Sequence, residues 1–199
     1  MHPVLYLATQ NKHKVEEISA LLQDNFIVRD LSTLPITEEI PETGTTLVEN
    51  SLQKARYIAE KFQVSCLADD SGLEVEALAG APGVYSARYA GVPKNDQANL
   101  ELLLKNLSGQ PNRRARFVTV LTYFYEGTYH SFEGEIQGEI VEAPRGNQGF
   151  GYDPIFQPEN EHRTFAEMTL AEKNHIAHRA RALEKFKNFL DEIQKCADE

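Results

Sequence analysis

Two adjacent carboxylates and a hydroxyl, Asp69, Asp70 and Ser71, lie where an apolar run gives way to Gly72. The run from Val64 to Ala68 is short and rich in apolar residues, which predicts a buried strand that ends at the pair. Ligands bind at the carboxyl ends of strands in open α/β sheets, so the two aspartates could hold a divalent metal or activate a water. The alternative is that they form an Asx turn and cap the next element.

A polar loop follows the first predicted strand, Val4 to Ala8, and leads into a predicted helix. Four apolar residues recur there at helical spacing: Val15, Ile18, Leu21 and Leu22. The loop from Thr9 to Lys14 offers free backbone N–H groups, a hydroxyl, an amide and two lysines, which suits a phosphate group. The glycines of a P-loop are absent. An ordinary N-cap with solvated lysines is the alternative.

Two further groups of residues could bind an aromatic, polar ligand. Phe150 and Tyr152 lie in the glycine-rich loop GNQGFGYDP and offer flat surfaces on which a purine could stack, although a structural turn with packed aromatics fits equally. Lys173, His178 and Arg179 lie near the start of the last predicted helix, where positive charge opposes the helix dipole. An anionic or carbonyl-bearing ligand would explain these three residues, and a solvated basic face is the alternative.

The elements that position these groups alternate between strands and helices. Capping boxes at Thr46 with Glu49 and at Thr169 with Glu172 predict two helix starts. A hairpin is predicted from Phe117 to Tyr125 and from Thr128 to Val141. The order strand, helix, strand, helix, strand, then a hairpin and a final helix predicts an α/β fold, a mixed sheet with helices on its faces.

Composition and net charge argue against some classes of function. The chain has 199 residues, 41% hydrophobic and 25% charged, which is typical of a soluble globular protein. Its net charge of −10 argues against nucleic acid as the main partner. We expect no signal peptide and no membrane span, because no stretch approaches the roughly 20 apolar residues required. The two cysteines, Cys66 and Cys196, form no metal spacing, so a cytoplasmic location is expected.

Taken together and in order, the motifs resemble the non-canonical purine nucleoside triphosphate pyrophosphatases, also called inosine triphosphate pyrophosphatases. The resemblance runs from about residue 4 to residue 183. It is carried by the loop TQNKHK, Glu42, ENSLQKA, LADDSGL, PGVYSARYAG, GFGYDP, TFAEM and TLAEKNHIAHR.

This resemblance implies a single domain over residues 1–199, an elongated two-lobed mixed β-sheet flanked by helices, with the active site in the cleft between the lobes. It implies a homodimer. It also implies Mg²⁺-dependent hydrolysis of dITP, ITP and XTP to the monophosphate and pyrophosphate, which keeps deaminated purines out of DNA and RNA.

The resemblance also implies roles for individual residues. Glu42 and Asp70 would hold the metal, and Asp70 would accept the proton of the attacking water. The substrate would be bound by Thr9, Gln10, Asn11, Lys12, His13, Lys14, Lys54, Ser71, Phe150, Gly151, Tyr152, Asp153, Lys173, His178 and Arg179. His13 occupies a position where many relatives have glycine.

Three other functions remain open from the sequence. A Maf-like pyrophosphatase would share the architecture but act on modified or pyrimidine nucleotides. A signalling receiver module would use an acidic pair to bind Mg²⁺, but it would be shorter and would lack the Phe150 loop. A non-catalytic nucleotide-binding protein would have the same pocket without turnover.

Overall fold

The protein contains one six-stranded mixed sheet with helices on its faces, as the sequence predicted. The computed structural model describes residues 2–197. The strands are β1 (Val4–Ala8), β2 (Ile27–Arg29), β3 (Cys66–Val75), β4 (Arg114–Tyr125), β5 (Thr128–Ile140) and β6 (Phe156–Pro158). The helices are α1 (Lys12–Leu22), α2 (Leu47–Phe62), α3 (Asp96–Asn106), α4 (Leu170–Ile176) and α5 (His178–Ala197). The strand order is β2-β1-β3-β4-β5-β6.

The chain divides into two compact units. Unit 1 comprises residues 1–70, 119–134 and 179–199, and unit 2 comprises residues 71–118 and 135–178. Strands β3, β4 and β5 each contribute residues to both units. Unit 2 has a core of its own, built around Leu73, Leu103, Phe117, Phe156 and Phe165.

In unit 1, strand β1 pairs in parallel with β2 on one side and with β3 on the other. The chain therefore crosses in one direction through α1 and in the opposite direction through α2. Because such crossovers are right-handed, the two helices cover opposite faces of the sheet. The direction of winding reverses between β1 and β3, and ligands of open α/β sheets bind at the carboxyl ends of the strands at such a reversal.

The two faces of unit 1 have separate cores, which follow the alternation of side chains along a strand. Leu5, Leu7 and Leu67 pack with helices α1 and α5. Ala8 and Ala68 pack with helix α2. In β1 and in the part of β3 that belongs to unit 1, odd-numbered residues therefore face helices α1 and α5, and even-numbered residues face helix α2.

The hairpin predicted at residues 117–141 is confirmed. Strand β4 ends at Tyr125 and β5 begins at Thr128, so only Glu126 and Gly127 connect them. Both connecting residues have positive φ, 46° and 78°, as a type I′ turn requires. Its twist matches that of the two strands it joins.

Three elements differ from the sequence prediction. Strand β3 continues through the acidic pair to Val75, so the aspartates form neither a strand end nor an Asx turn. Strand β2, which the sequence predicts from Phe26 to Leu31, spans only Ile27–Arg29. The last predicted helix is divided at Ala177, whose ψ of 155° is extended, into α4 and α5. Lys173 consequently lies in the last turn of α4, where the helix dipole favours a cation.

Within residues 2–197, no helix combines the length and apolar character needed to cross a membrane.

Candidate active site

Asp69 and Asp70 point to opposite faces of the sheet, because neighbouring residues of a strand alternate. The last register pair of β1 with β3 is Ala8 with Ala68, so the two aspartates lie just beyond the carboxyl end of β1. Asp69 meets helices α1 and α5, and Asp70 meets helix α2. The two carboxylates therefore have different partners, Asp69 with Lys14 and Arg179 and Asp70 with Lys54.

Asp70 lies beside a buried lysine. Nζ of Lys54, on helix α2, lies 3.0 Å from Oδ1 of Asp70 and 2.6 Å from Oε1 of Glu42. Burial works against the charged form of Lys54, but Asp70 and Glu42 outweigh it and raise its pKa. Burial also raises the pKa of Asp70 despite the nearby lysines. Oδ2 of Asp70 is buried and has no hydrogen-bond partner among the described residues.

Asp69 is the centre of a buried ion-pair network on the opposite face. Its Oδ1 accepts from the Lys14 ammonium, and its Oδ2 accepts from Nε of Arg179 at 2.9 Å. Arg179 also donates through Nη1 to Glu17. Burial would raise the pKa of Asp69, but Arg179 and Lys14 hold it well below its usual range. Burial and the neighbouring cations Lys54 and Arg179 lower the pKa of Lys14 despite its pairing with Asp69.

The predicted phosphate loop begins helix α1. Asn11 is its N-cap, and the Asn11 side chain accepts from the backbone N–H groups of His13 and Lys14. Oγ1 of Thr9 accepts from the backbone N–H of Asn11 at 3.2 Å. Of the two lysines predicted there, Lys14 is brought to the acidic pair, whereas the Lys12 side chain is exposed. His13 is also exposed, with Nδ1 3.9 Å from Glu16.

A cavity of about 290 Å³ lies beside this loop in unit 1. It is lined by Thr9, Gln10, Lys12, Val15, Asp30, Leu31, Ser32, Leu34 and Ile36. Lys12 lies near enough to lower the pKa of Asp30, although hydrogen bonds from Ser32 are the larger cause of that shift. The residues of the predicted phosphate loop therefore lie at two different places. Lys14 contacts Asp69, whereas Gln10 and Lys12 line the cavity.

In unit 2, the GNQGFGYDP loop is organised around Asp153. Oδ2 of Asp153, which is buried, accepts from the backbone N–H of Phe150 at 2.9 Å and from Nζ of Lys173 at 2.6 Å. The Lys173 ammonium lies 5.0 Å from the centre of the Phe150 ring and 5.4 Å from that of Phe165. Aromatic faces and a carboxylate thus surround a buried cation.

Two ring side chains of the predicted substrate-binding set, Tyr152 and His178, are buried. Tyr152 is buried in the apolar core of unit 2, and its hydroxyl donates to the Ser86 carbonyl at 2.8 Å. His178 is buried and stacks on Phe117, with ring centres 4.7 Å apart and planes 11° apart. Phe150 and Gly151 remain partly exposed, as does Ser71 in β3. Direct substrate contacts by His178 and Arg179 stay predictions.

Replacing Gly149 by alanine should disturb the Asp153–Lys173 pair. Gly149 has φ +71°, and an added Cβ would lie 2.0 Å from Oδ2 of Asp153. We expect the KM for dITP to rise by about tenfold or more, because a misplacement of about 1 Å in a binding group carries a cost of this order. Steady-state kinetics would measure the change.

Gly109→Ala is the matched control for Gly149→Ala. It imposes the same backbone strain, at φ +74°, but its Cβ would meet no atom within 4 Å. An equal rise of KM in both variants would show that strain alone, not the Asp153 contact, is responsible.

The acidic side chains of this site could bind a metal ion together with oxygen atoms of a bound substrate. Among residues 2–197, no three or more His, Cys, Asp or Glu side chains are grouped to hold a metal ion. Mg²⁺ in phosphate-transfer sites is commonly held by one or two carboxylates together with substrate phosphates. Glu42 and Asp70 share a partner in Lys54, and within residues 2–197 nothing hydrogen-bonds to Oδ2 of Asp70, so this pair fits such a site.

Sequence reasoning missed Glu17. Its carboxylate is buried and pairs with Arg179. A signal was present, because Glu17 is three residues after Lys14 and four before Leu21, which places it on the predicted buried face of α1.

Comparison with known proteins agrees with this geometry. The sequence model of the Ham1 family matches residues 5–189. The chain is 46% identical over 186 residues to the dITP/XTP pyrophosphatase of Flavobacterium johnsoniae, covering 94% of this chain and 97% of that relative. It is 46% identical over 189 residues to the dITP/XTP pyrophosphatase of Bacillus subtilis, covering 93% and 96%.

Solved structures give the same result. The HAM1 protein from Coxiella burnetii aligns with a TM-score of 0.86 at 38% identity, covering 96% of this chain and 99% of that one. The Staphylococcus aureus Ham1 protein aligns with a TM-score of 0.85 at 38% identity, covering 94% and 98%. With its fold and nearly its whole length matched, the chain belongs to the Ham1 family.

Proposed function

We propose that the protein hydrolyses non-canonical purine nucleoside triphosphates, dITP, ITP and XTP, to the monophosphate and pyrophosphate. The observation that carries this proposal is the ion-paired group of buried Asp70, buried Lys54 and partly exposed Glu42, in which Oδ2 of Asp70 has no hydrogen-bond partner among the described residues. The names of the near-full-length relatives support the same reaction.

Unit 1 supplies the groups for the phosphates. Cleavage between the α and β phosphates develops negative charge on phosphoryl oxygens and on the leaving pyrophosphate. The ammonium groups of Lys14 and Lys54 approach β3 from opposite faces, at Asp69 and Asp70 respectively, and each is held by a carboxylate. Fixed cations of this kind stabilise developing charge without having to reorganise.

Asp70 is proposed as the proton acceptor. A carboxylate is a better base when its pKa is raised towards the working pH, and burial raises the pKa of Asp70. Lys54 orients this carboxylate through Oδ1, which leaves Oδ2 for a water molecule or a metal.

Glu42 and Asp70 would hold Mg²⁺. When bound, such an ion neutralises phosphate charge and orients the phosphate chain. These two carboxylates would be the protein's contribution to the site, in keeping with the one or two carboxylates that commonly hold Mg²⁺ beside substrate phosphates.

Lys173 and Phe150 are proposed to recognise the base. Lys173 can only donate hydrogen bonds, and it is buried beside Phe150. A donor directed at the purine 6-position accepts the keto oxygen of hypoxanthine or xanthine but leaves the amino group of adenine unmatched. We propose that the half-exposed Phe150 ring stacks on the base, and that Lys173, His178 and Arg179 contribute to its recognition.

We also propose that the protein is a cytoplasmic homodimer, on the resemblance to its family. Measurement of molar mass by light scattering in solution would test the dimer.

A receiver module is wrong for this chain, because the sheet is mixed and the chain belongs to the Ham1 family. The other two alternatives are outcomes of a rate panel with Mg²⁺ over dITP, ITP, XTP, dGTP, ATP and dTTP, scored for pyrophosphate and orthophosphate separately. We expect pyrophosphate mainly from dITP, ITP and XTP. Preferential hydrolysis of dTTP or modified pyrimidines would favour the Maf-like activity, and binding without turnover would favour a non-catalytic protein.

A further inference from the structure

We propose that helix α2 fixes the position of Glu42 by binding the loop that follows it, so that Asn50 and Gln53 are positioning residues for the metal site. This inference rests on the proposed function, in which Glu42 is a ligand of Mg²⁺. It names residues that do not themselves touch the metal or the substrate.

Three consecutive backbone N–H groups of the loop donate to three side chains of α2. The N–H of Thr43 donates to Oε1 of Gln53 at 2.9 Å, and the N–H of Gly44 donates to Oδ1 of Asn50 at 2.7 Å. The N–H of Thr45 donates to Oε2 of Glu49 at 2.7 Å. We call these three hydrogen bonds the loop clamp.

The clamp acts directly on Glu42 because of covalent geometry. The N–H of Thr43 belongs to the same rigid peptide plane as Cα of Glu42. A hydrogen bond that fixes this N–H therefore fixes the backbone from which the Glu42 side chain extends. Nε2 of Gln53 also donates to Oγ1 of Thr43 at 3.0 Å, so this residue is held at two points.

The loop lies unusually close to the helix at Gly44. A Cβ at this position would lie 2.6 Å from Cβ of Glu49 and 2.8 Å from Oδ1 of Asn50. Asn50 itself is buried, with 1% of its surface exposed. The absence of a side chain at Gly44 thus allows the buried amide of Asn50 to reach the loop backbone.

The same helix carries the cation that meets Glu42. Lys54 follows Gln53 directly, and its Nζ lies between Glu42 and Asp70. Helix α2 therefore sets both the backbone of Glu42 and the charge opposite its carboxylate. Asn50 and Gln53 are not required to begin the helix, because the Thr46–Glu49 capping box already satisfies its first turn. Residues that orient a metal ligand in this way affect metal affinity strongly.

Gln53→Met and Gln53→Glu form a matched pair that tests the clamp. Methionine has a similar length but removes the acceptor, whereas glutamate retains an acceptor for the Thr43 N–H. We expect Gln53→Met to weaken Mn²⁺ binding, measured by EPR of free Mn²⁺, by about tenfold. The Mg²⁺ concentration for half-maximal dITP hydrolysis should rise in parallel, while kcat at saturating Mg²⁺ changes by less than about threefold. Gln53→Glu should retain Mn²⁺ affinity.

Two further variants keep the test independent of one substitution. Gly44→Ala disturbs the clamp from the loop side and should also weaken Mn²⁺ binding. Gln97→Met, which removes a similar exposed hydrogen bond to Glu101 in α3, should leave Mn²⁺ affinity unchanged. Circular dichroism melting of each variant would show that it is folded.

Glu42→Gln separates failure of the inference from failure of the proposed site. If Glu42→Gln weakens Mn²⁺ binding while Gln53→Met and Gly44→Ala do not, the positioning role is wrong and the metal site stands. If Glu42→Gln leaves Mn²⁺ binding unchanged, Glu42 is not a ligand and both are wrong. A loss of kcat in Gln53→Met at unchanged Mn²⁺ affinity would also overturn the positioning role.

Discussion

Asp70→Asn should reduce the rate of dITP hydrolysis by about a thousandfold or more while leaving nucleotide binding largely intact, because a positioned general base contributes up to about 10⁴-fold. Asparagine keeps the size of the side chain and an oxygen for Lys54 to bind. It cannot take a proton from water. Initial rates of pyrophosphate release and nucleotide affinity by calorimetry would measure the two effects, and a variant with the normal rate would remove Asp70 from the mechanism.

Glu42→Gln is the informative comparison for Asp70→Asn. If Glu42 only helps to hold Mg²⁺, raising the Mg²⁺ concentration should restore part of the lost rate. The same treatment should not restore Asp70→Asn, which also loses the proton acceptor. Equal recovery of both variants would contradict a separate role for Asp70 as the base.

Arg179→Met should lower the free energy of unfolding by about 3–5 kcal/mol, because it removes the cation that pairs with the buried carboxylates of Asp69 and Glu17. Arg179 is buried between Asp69 and Glu17. Urea unfolding followed by circular dichroism would measure the loss, and a single cooperative transition would support the prediction of a single domain over residues 1–199. Arg56→Met is the control: its partner Glu60 is 3.7 Å away and exposed, so the loss should be below about 1 kcal/mol.

The loss in Arg179→Met should depend on pH in a defined direction. In the native protein the pKa of Asp69 is lowered, so its contribution to stability is present above its unfolded pKa of about 3.9 and is lost as the pH falls below it. Without Arg179, burial opposes the charged form of Asp69. The stability deficit of the variant should therefore shrink as the pH is lowered from about 7 towards about 4. A deficit that is constant over this range would show that the Arg179–Asp69 charge pair is not its source.

The strand around Asp69 and Asp70 was predicted in part correctly from the sequence. Residue types and order predict a buried strand at Val64 to Ala68, and Cys66, Leu67 and Ala68 are indeed buried in β3, which also contains Asp69 and Asp70. The prediction that the strand stops there is wrong, because Gly72 is accommodated within β3. Glycine commonly marks a turn, but the pairing partners that extend a strand come from distant parts of the chain.

The basic residues near the end of the chain show a second difference. Lys173, His178 and Arg179 were grouped by sequence as one basic face near a helix start. The break at Ala177 separates Lys173 from the other two, and only Lys173 pairs with Asp153. Arg179 pairs with carboxylates of α1 and β3 that are far from it in sequence.

The α/β class, the capping boxes and the hairpin can be predicted from the sequence, as can the residue types that suit phosphate, metal and purine. These predictions rest on hydrophobic periodicity and on side chains that bond within a few residues. The pairing of Asp69 with Arg179 and Lys14, and of Asp70 with Lys54, is visible only in the folded protein. The reason is physical: the face to which a strand residue points has meaning only once helices from elsewhere in the chain have packed on each side of the sheet.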